Sequence, residues 1–151
     1  AIDTIIGETG ADILTGNGGN DIFSISSGHS GLTESTADTI ADFVSGADQL
    51  KLGLAGNATS TTGNYVEASS AITDFNAALT AANIALNTLN NGTGSSPNYN
   101  TNIHLYSFQF DSSPSEIGYL FKDEDSDGDA DSVIILTGIN NTEIAASDII
   151  A

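Results

Sequence analysis

Apolar residues recur two places after an aspartate, at a spacing of nine, along the first part of the chain. Asp3 precedes Ile5, Asp12 precedes Leu14 and Asp21 precedes Phe23. Glycines keep the same period, Gly7 with Gly16 and Gly10 with Gly19. Glycine tolerates tight turns, so each unit reads as a curled Gly-rich segment followed by a short strand. Side chains alternate across a strand, which predicts a shared interior for Ile5, Leu14 and Phe23. Two units would make one coil of a flattened parallel spiral. In ADTIADFVSGADQLKL (37–52), Ile40, Phe43, Val44, Leu50 and Leu52 supply further apolar positions around a turn. A polar loop is expected over 53–64. Ile72, Phe75, Leu79, Ala82, Leu86 and Leu89 then recur at steps of three and four. That spacing predicts one amphipathic helix over about 70–90, capped by Ser69 or Ser70, with Asp74 near its first turn. After a second loop at 93–100, three strands are predicted: IHLYSFQF (103–110), IGYLFK (117–122) and SVIILTGI (132–139).

The repeated aspartates change the picture from architecture to chemistry. In the spiral, Asp3 lies above Asp21, and stacked carboxylates repel unless a cation sits between them. Carboxylates with turn carbonyls, those of Gly16 and Gly18 being the candidates, form the hard oxygen cage that Ca²⁺ prefers. Asp38 falls about one coil beyond Asp21 and is expected to close a site on that side. Asp12 is expected to face Ser30, because SSGHSGLT (26–33) reads as a decayed third copy with Leu32 at the apolar position. Asp42 and Asp48 are further candidates; Asp48 also suits a plain turn after Gly46.

GETGADILT (7–15) and GNGGNDIFS (16–24) resemble the calcium-binding nonapeptide of RTX proteins, GGxGxDxUx, with Glu8 and Asn17 standing where the consensus has glycine. Residues 37–52 resemble the segment that ends many RTX rolls. The resemblance implies a mainly β fold: a short parallel β-roll over 1–52, continuing into a β-rich region over 53–151 with one helix and a calcium-loop hairpin, as one folded unit. It also implies that Asp3, Asp12, Asp21 and Asp38 are calcium ligands. The ending LTGINNTEIAASDIIA (136–151) resembles the C-terminal region of RTX proteins exported by type I secretion. That resemblance implies an uncleaved export signal, carriage while unfolded by the type I apparatus across both membranes of a Gram-negative cell, and a secreted or cell-surface location.

A second acidic segment, KDEDSDGDADS (122–132), lies between two predicted strands. Asp123, Asp125 and Asp127 alternate, Gly128 permits a sharp turn, and Asp129 and Asp131 follow. This is how a D-x-D-x-D-G calcium loop opens. Ile134 stands where an EF-hand has its Glu, so a hairpin loop around calcium is expected, against a solvated acidic turn.

Charge narrows the function further. Twenty acids face two bases, a net charge of −18. Nothing could neutralise phosphates, so nucleic-acid binding is excluded, and no segment approaches membrane-spanning length. Such a charge opposes compaction unless cations are taken up. Cysteine is absent, and bound calcium could take the role disulfides play elsewhere. A chain that opens inside a repeat is expected to be a fragment or a mature piece. No HExxH, GxSxG, P-loop or GxGxxG motif is present, and the expectation is a non-enzymatic protein. Its function is expected to be that of a calcium-folded module of a bacterial surface layer, fibre or adhesin, able to form a homo-oligomer or lattice. The alternative is the secretion and folding tail of a larger hydrolase, such as a serralysin-like protease or a lipase. A lone histidine at His104 is expected to be a packed or surface residue.

Overall fold

The computed structural model describes residues 1–58, 63–91, 104–111, 116–140 and 143–151. The predicted loop at 93–100 and part of that at 53–64 lie outside the described residues.

The nine-residue units form short strands that alternate between two sheets. Strands β1 (Thr4–Ile6), β3 (Ile22–Ser24) and β5 (Gln49–Lys51) run parallel in one sheet. Strands β2 (Ile13–Leu14) and β4 (Asp38–Ile40) run parallel in the other. Phe23, Leu14, Ile40 and Leu50 turn into the core between them, with Ile5 partly buried at its edge. Val44 does not join this core; it is 56% exposed.

The stacking register departs from a uniform period. Asp3 neighbours Asp21, as expected. Asp21, however, lies beside Asp48 and not Asp38, and Asp38 lies beside Asp12. The sequence separations are 18, 27 and 26 residues, so the chain makes an excursion before β4. Residues 26–37 are that excursion, a series of turns held by Thr33, Thr36 and their backbone, and not a third coil. The physical reason is Ser30. Its short buried hydroxyl carries no charge to stack; it accepts the Asp38 N–H at 2.8 Å and donates to the Val133 carbonyl at 2.6 Å. It is therefore a backbone splint that delivers Asp38 to Asp12.

The sheet of β2 and β4 continues through β9 (Ser132–Thr137), β8 (Ile117–Asp123), β7 (Leu105–Phe110) and β6 (Tyr65–Glu67). Strand β4 pairs parallel with β9, Asp38 opposite Ile134, so one sheet joins the first third of the chain to the last. Strand β6 went unpredicted because its three residues carry no legible alternation. Strands β7 to β9 are buried on both faces. Tyr106, Phe108, Leu120, Ile134 and Leu136 fill the core between the sheets, while Leu105, Tyr119, Phe121, Val133 and Ile135 face helix α1 (Phe75–Asn91). Double burial explains their nearly continuous apolar sequence.

Helix α1 lies across the outer face of this sheet through Ala78, Ala82 and Leu86. The predicted stripe packs here, but the cap is Asp74 in place of Ser69 or Ser70. Its carboxylate accepts the Ala77 N–H at 2.9 Å, and the helix starts at Phe75. The chain ends in a 3₁₀ turn (Ala146–Asp148) and strand β10 (Ile149–Ile150), which adds parallel to β5.

Candidate metal centres

Each turn places its aspartate against the backbone of the preceding layer. The Asp3 N–H donates to Asp21 Oδ1 at 2.8 Å, the Asp21 N–H to Asp48 Oδ1 at 2.9 Å, and the Asp12 N–H to Asp38 Oδ1 at 3.0 Å. Asp42 accepts the N–H groups of Gly16 and Asn17 at 2.9 and 2.6 Å, and Asp48 also accepts that of Val44 at 2.8 Å. These amides orient the carboxylates and leave lone pairs for an ion. Glu8 and Asn17, the departures from consensus, both sit at φ 64, in the region that glycine enters freely. The expected carbonyl donor Gly18 faces the terminal amine of Ala1 at 3.0 Å.

One pair has a specific vacancy in its hydrogen bonding. Asp12 Oδ2 and Asp38 Oδ2 are buried and, among the described residues, neither has a hydrogen-bond partner. Both lie over Gly7, where an added Cβ would stand 3.3 Å from Asp38 Oδ2 and 3.4 Å from Asp12 Oδ2. Asp38 is fully buried, and burial raises its pKa. The neighbouring Asp12 charge raises it further, while the Asp12 amide and His29 pull the other way. Leaving one buried polar group unpaired costs about 1–3 kcal/mol, more for a charge. Two unpaired carboxylate oxygens sharing one site therefore fit a divalent cation. A similar cradle lies at Asp21, where a Cβ on Gly16 would come within 2.6 Å of Oδ2.

The acidic hairpin loop joins β8 to β9, as its position between predicted strands implied. Asp123, fully buried, accepts N–H bonds from Asp125, Ser126 and Gly128 at 3.2, 2.6 and 2.9 Å. Burial raises its pKa, the amides oppose the rise, and Asp127 adds to it. One oxygen each from Asp123, Asp125 and Asp131 lies within 4.8 Å of the others. Asp127 and Asp129 are not in that group. They carry the turn instead, Asp125 accepting the Asp127 N–H and Asp127 accepting that of Asp129. Ser126 at φ 61 and Gly128 at φ 100 make the bend, and Asn83 of α1 holds the Ala130 N–H at 3.0 Å. Ile134 is core, which accounts for the lack of an EF-hand Glu.

Two polar groups escaped the sequence reading. Lys122 is buried, 3.1 Å from Ser27 Oγ and 3.3 Å from Glu124. Asp148 is buried against the turn before β5. Nothing local in the sequence marks either. His104 is half-buried, and burial and Lys122 both lower its pKa.

Parallel strands linked by Gly-Asp turns carry carboxylates aimed at backbone amides, an oxygen-rich arrangement of the kind hard cations prefer. Residues 1–104 match the family described as Peptidase M10 serralysin C terminal, which is of the RTX calcium-binding type. The chain belongs to that family. No curated protein matches it. Among the described residues, no helix is long and apolar enough to cross a membrane.

Proposed function

We propose that this chain is a non-enzymatic, extracellular calcium-binding module that folds when Ca²⁺ reaches it after type I secretion. The alternating parallel strands are read as a short β-roll whose ions sit between layers. The observation that carries the reading is the pair of unpartnered buried oxygens on Asp12 and Asp38. Asp12 and Asp38 would hold one ion, Asp3, Asp21 and Asp48 a second region, and Asp123, Asp125 and Asp131 a third. Asp42 orients the turn at Gly16 and Asn17, and Asp127 and Asp129 shape the hairpin loop. Calcium would supply charge neutralisation, while the chain's own amides fix where each carboxylate points. Binding of this kind is folding free energy, since the unfolded chain has no site.

Two settings fit such a module. The abundance of Thr, Asn and Ser and the lack of catalytic motifs favour a surface layer, fibre or adhesin in which copies associate. Membership of the serralysin C-terminal family favours the folding and secretion tail of a larger hydrolase. Far-UV spectra and hydrodynamic radius, recorded in EGTA and then in about 5 mM Ca²⁺, test the calcium reading, since extracellular sites bind near 10⁻⁴ to 10⁻³ M. A compact, cooperatively melting chain in EGTA would overturn it. Electron microscopy of the calcium-loaded chain then divides the settings: ordered assemblies support the surface role, and a persistent monomer supports the tail.

A further inference from the structure

Strand β6, far from the repeats in sequence, carries a carboxylate on its core-facing side. It pairs with β7 so that Tyr65 lies opposite Tyr106 and Glu67 opposite Phe108. Tyr106 and Phe108 fill the core between the sheets, and side chains two apart on a strand share a face. Glu67 therefore lies on that same side, at the end of the strand. It is half-buried, and burial raises its pKa. Among the described residues, no hydrogen bond or ion pair engages its carboxylate; Lys122 is taken by Glu124, and Lys51 is exposed.

Tyr65 has the matching defect. The residue is 6% exposed, and its hydroxyl oxygen is buried with no hydrogen-bond partner. Buried hydroxyls are ordinarily paired, as that of Tyr106 is with the Leu54 carbonyl at 2.6 Å. The segment before β6 fixes where Tyr65 stands. The Tyr65 N–H donates to the Asn57 carbonyl at 3.1 Å and the Gly56 N–H to the Ile149 carbonyl at 3.0 Å. A Cβ on Gly56 would collide with the Ala146 carbonyl, so the turn that contains Asp148 is pressed against this segment. Burial, then the charges of Glu67 and Asp148, raise the pKa of the Tyr65 hydroxyl. Asp148 has its oxygens on Ser45, Gly46 and Ala145, so it adds charge to the site and Glu67 the unengaged lone pairs.

We infer that Glu67 and Tyr65 form a cation site of their own, apart from the Gly-Asp repeats and from the hairpin loop. Glu67 is its carboxylate ligand, the Tyr65 oxygen a neutral second donor, and Asp148 a nearby negative charge. Oxygen donors of this kind suit a hard divalent cation, and the choice of Ca²⁺ rests on the calcium reading above. Affinity follows the number of charged ligands, and one carboxylate is fewer than the pairs and triad of the other centres. The site therefore fills after them. Its half-buried carboxylate leaves the ion a way in.

Terbium in place of calcium tests the site, because the chain has four tyrosines and no tryptophan. Emission of Tb³⁺ excited through tyrosine then reports an ion beside a tyrosine. Wild type should show such emission growing in the late part of a titration. Tyr65→Phe should lose that component, and Glu67→Gln should lose it too. In native mass spectrometry at saturating Ca²⁺, Glu67→Gln should carry one ion fewer. Asp125→Asn with Asp131→Asn should also lower the count but keep the late emission. Both β6 variants should keep the wild-type far-UV spectrum in calcium, since neither side chain has a protein partner to lose. If Tyr65→Phe does not fold, the ion count of Glu67→Gln decides. An unchanged count and unchanged late emission in Glu67→Gln overturn the site and leave the other centres intact. So does loss of emission in Tyr65→Phe with a full count in Glu67→Gln, which would place the ion elsewhere. A wild-type chain that takes up neither Ca²⁺ nor Tb³⁺ overturns the calcium reading itself.

Discussion

A single methyl group separates two glycines of the second repeat. A Cβ on Gly16 would stand 2.6 Å from Asp21 Oδ2, whereas one on Gly18 would meet nothing within 4 Å. Gly16→Ala should therefore displace the Asp21 carboxylate and raise the calcium midpoint of folding, and Gly18→Ala should be close to neutral. Circular-dichroism titrations compare them directly; equal midpoints would remove Asp21 from the ion site. Asp38 gives the sharper residue-scale test. Asp38→Asn keeps the side chain's shape but halves the charge shared with Asp12, and calorimetry should then count one ion fewer. An unchanged count would mean that the orphaned oxygens have some other partner.

At the scale of elements, the helix and the hairpin loop are separable. Asp74 caps α1 through the Ala77 N–H, and replacing an N-cap by Ala costs about 0.5–2 kcal/mol. Leu86 is fully buried in the helix–sheet core, and Leu→Ala there should cost about 2–5 kcal/mol. Both losses should appear in denaturant melts of the calcium-loaded chain without changing the number of ions bound. The hairpin loop should behave in the opposite manner. Asp125→Asn with Asp131→Asn should remove one ion in native mass spectrometry while the Asp12–Asp38 ion remains. Unchanged stoichiometry would make the loop a turn built from Asx-type hydrogen bonds alone.

For the whole molecule, the two protonation effects have opposite signs with and without calcium. Asp38 and Asp123 are held above the usual carboxylate range, chiefly by burial. A folded pKa above the unfolded value contributes stability that is complete below the unfolded value and lost as pH rises through the folded one. The metal-free chain should therefore gain compactness as pH falls from 7 toward about 4, near the unfolded carboxylate value. Relief of its −18 net charge acts in the same direction. Calcium requires the ionised carboxylates, so over that window its midpoint should climb. Parallel pH responses in EGTA and in calcium would separate Asp38 and Asp123 from ion binding.

Local patterns in the sequence determined the repeats, the three long strands β7 to β9, the helical stripe and the acidic hairpin, but not β6 or β10. Ile5, Leu14 and Phe23 announce one interior face because the strand period is two, and Asp123, Asp125 and Gly128 announce a tight acidic turn because their spacing is local. Which aspartates meet was decided only by the tertiary structure. An even period places Ser30 over Asp12 and brings Asp38 to about one coil beyond Asp21; the excursion at 26–37 moves Asp38 to Asp12 and Asp48 to Asp21. The fold could afford that excursion because β9 covers β4, and the Val133 carbonyl receives the Ser30 hydroxyl from 103 residues away. Asp148 was equally hidden. Its partners, Ser45 and Gly46, lie 103 and 102 residues earlier, and only the pairing of β10 with β5 brings them together. Period and propensity act over a few residues, whereas the choice among equivalent carboxylates depends on which strands become neighbours.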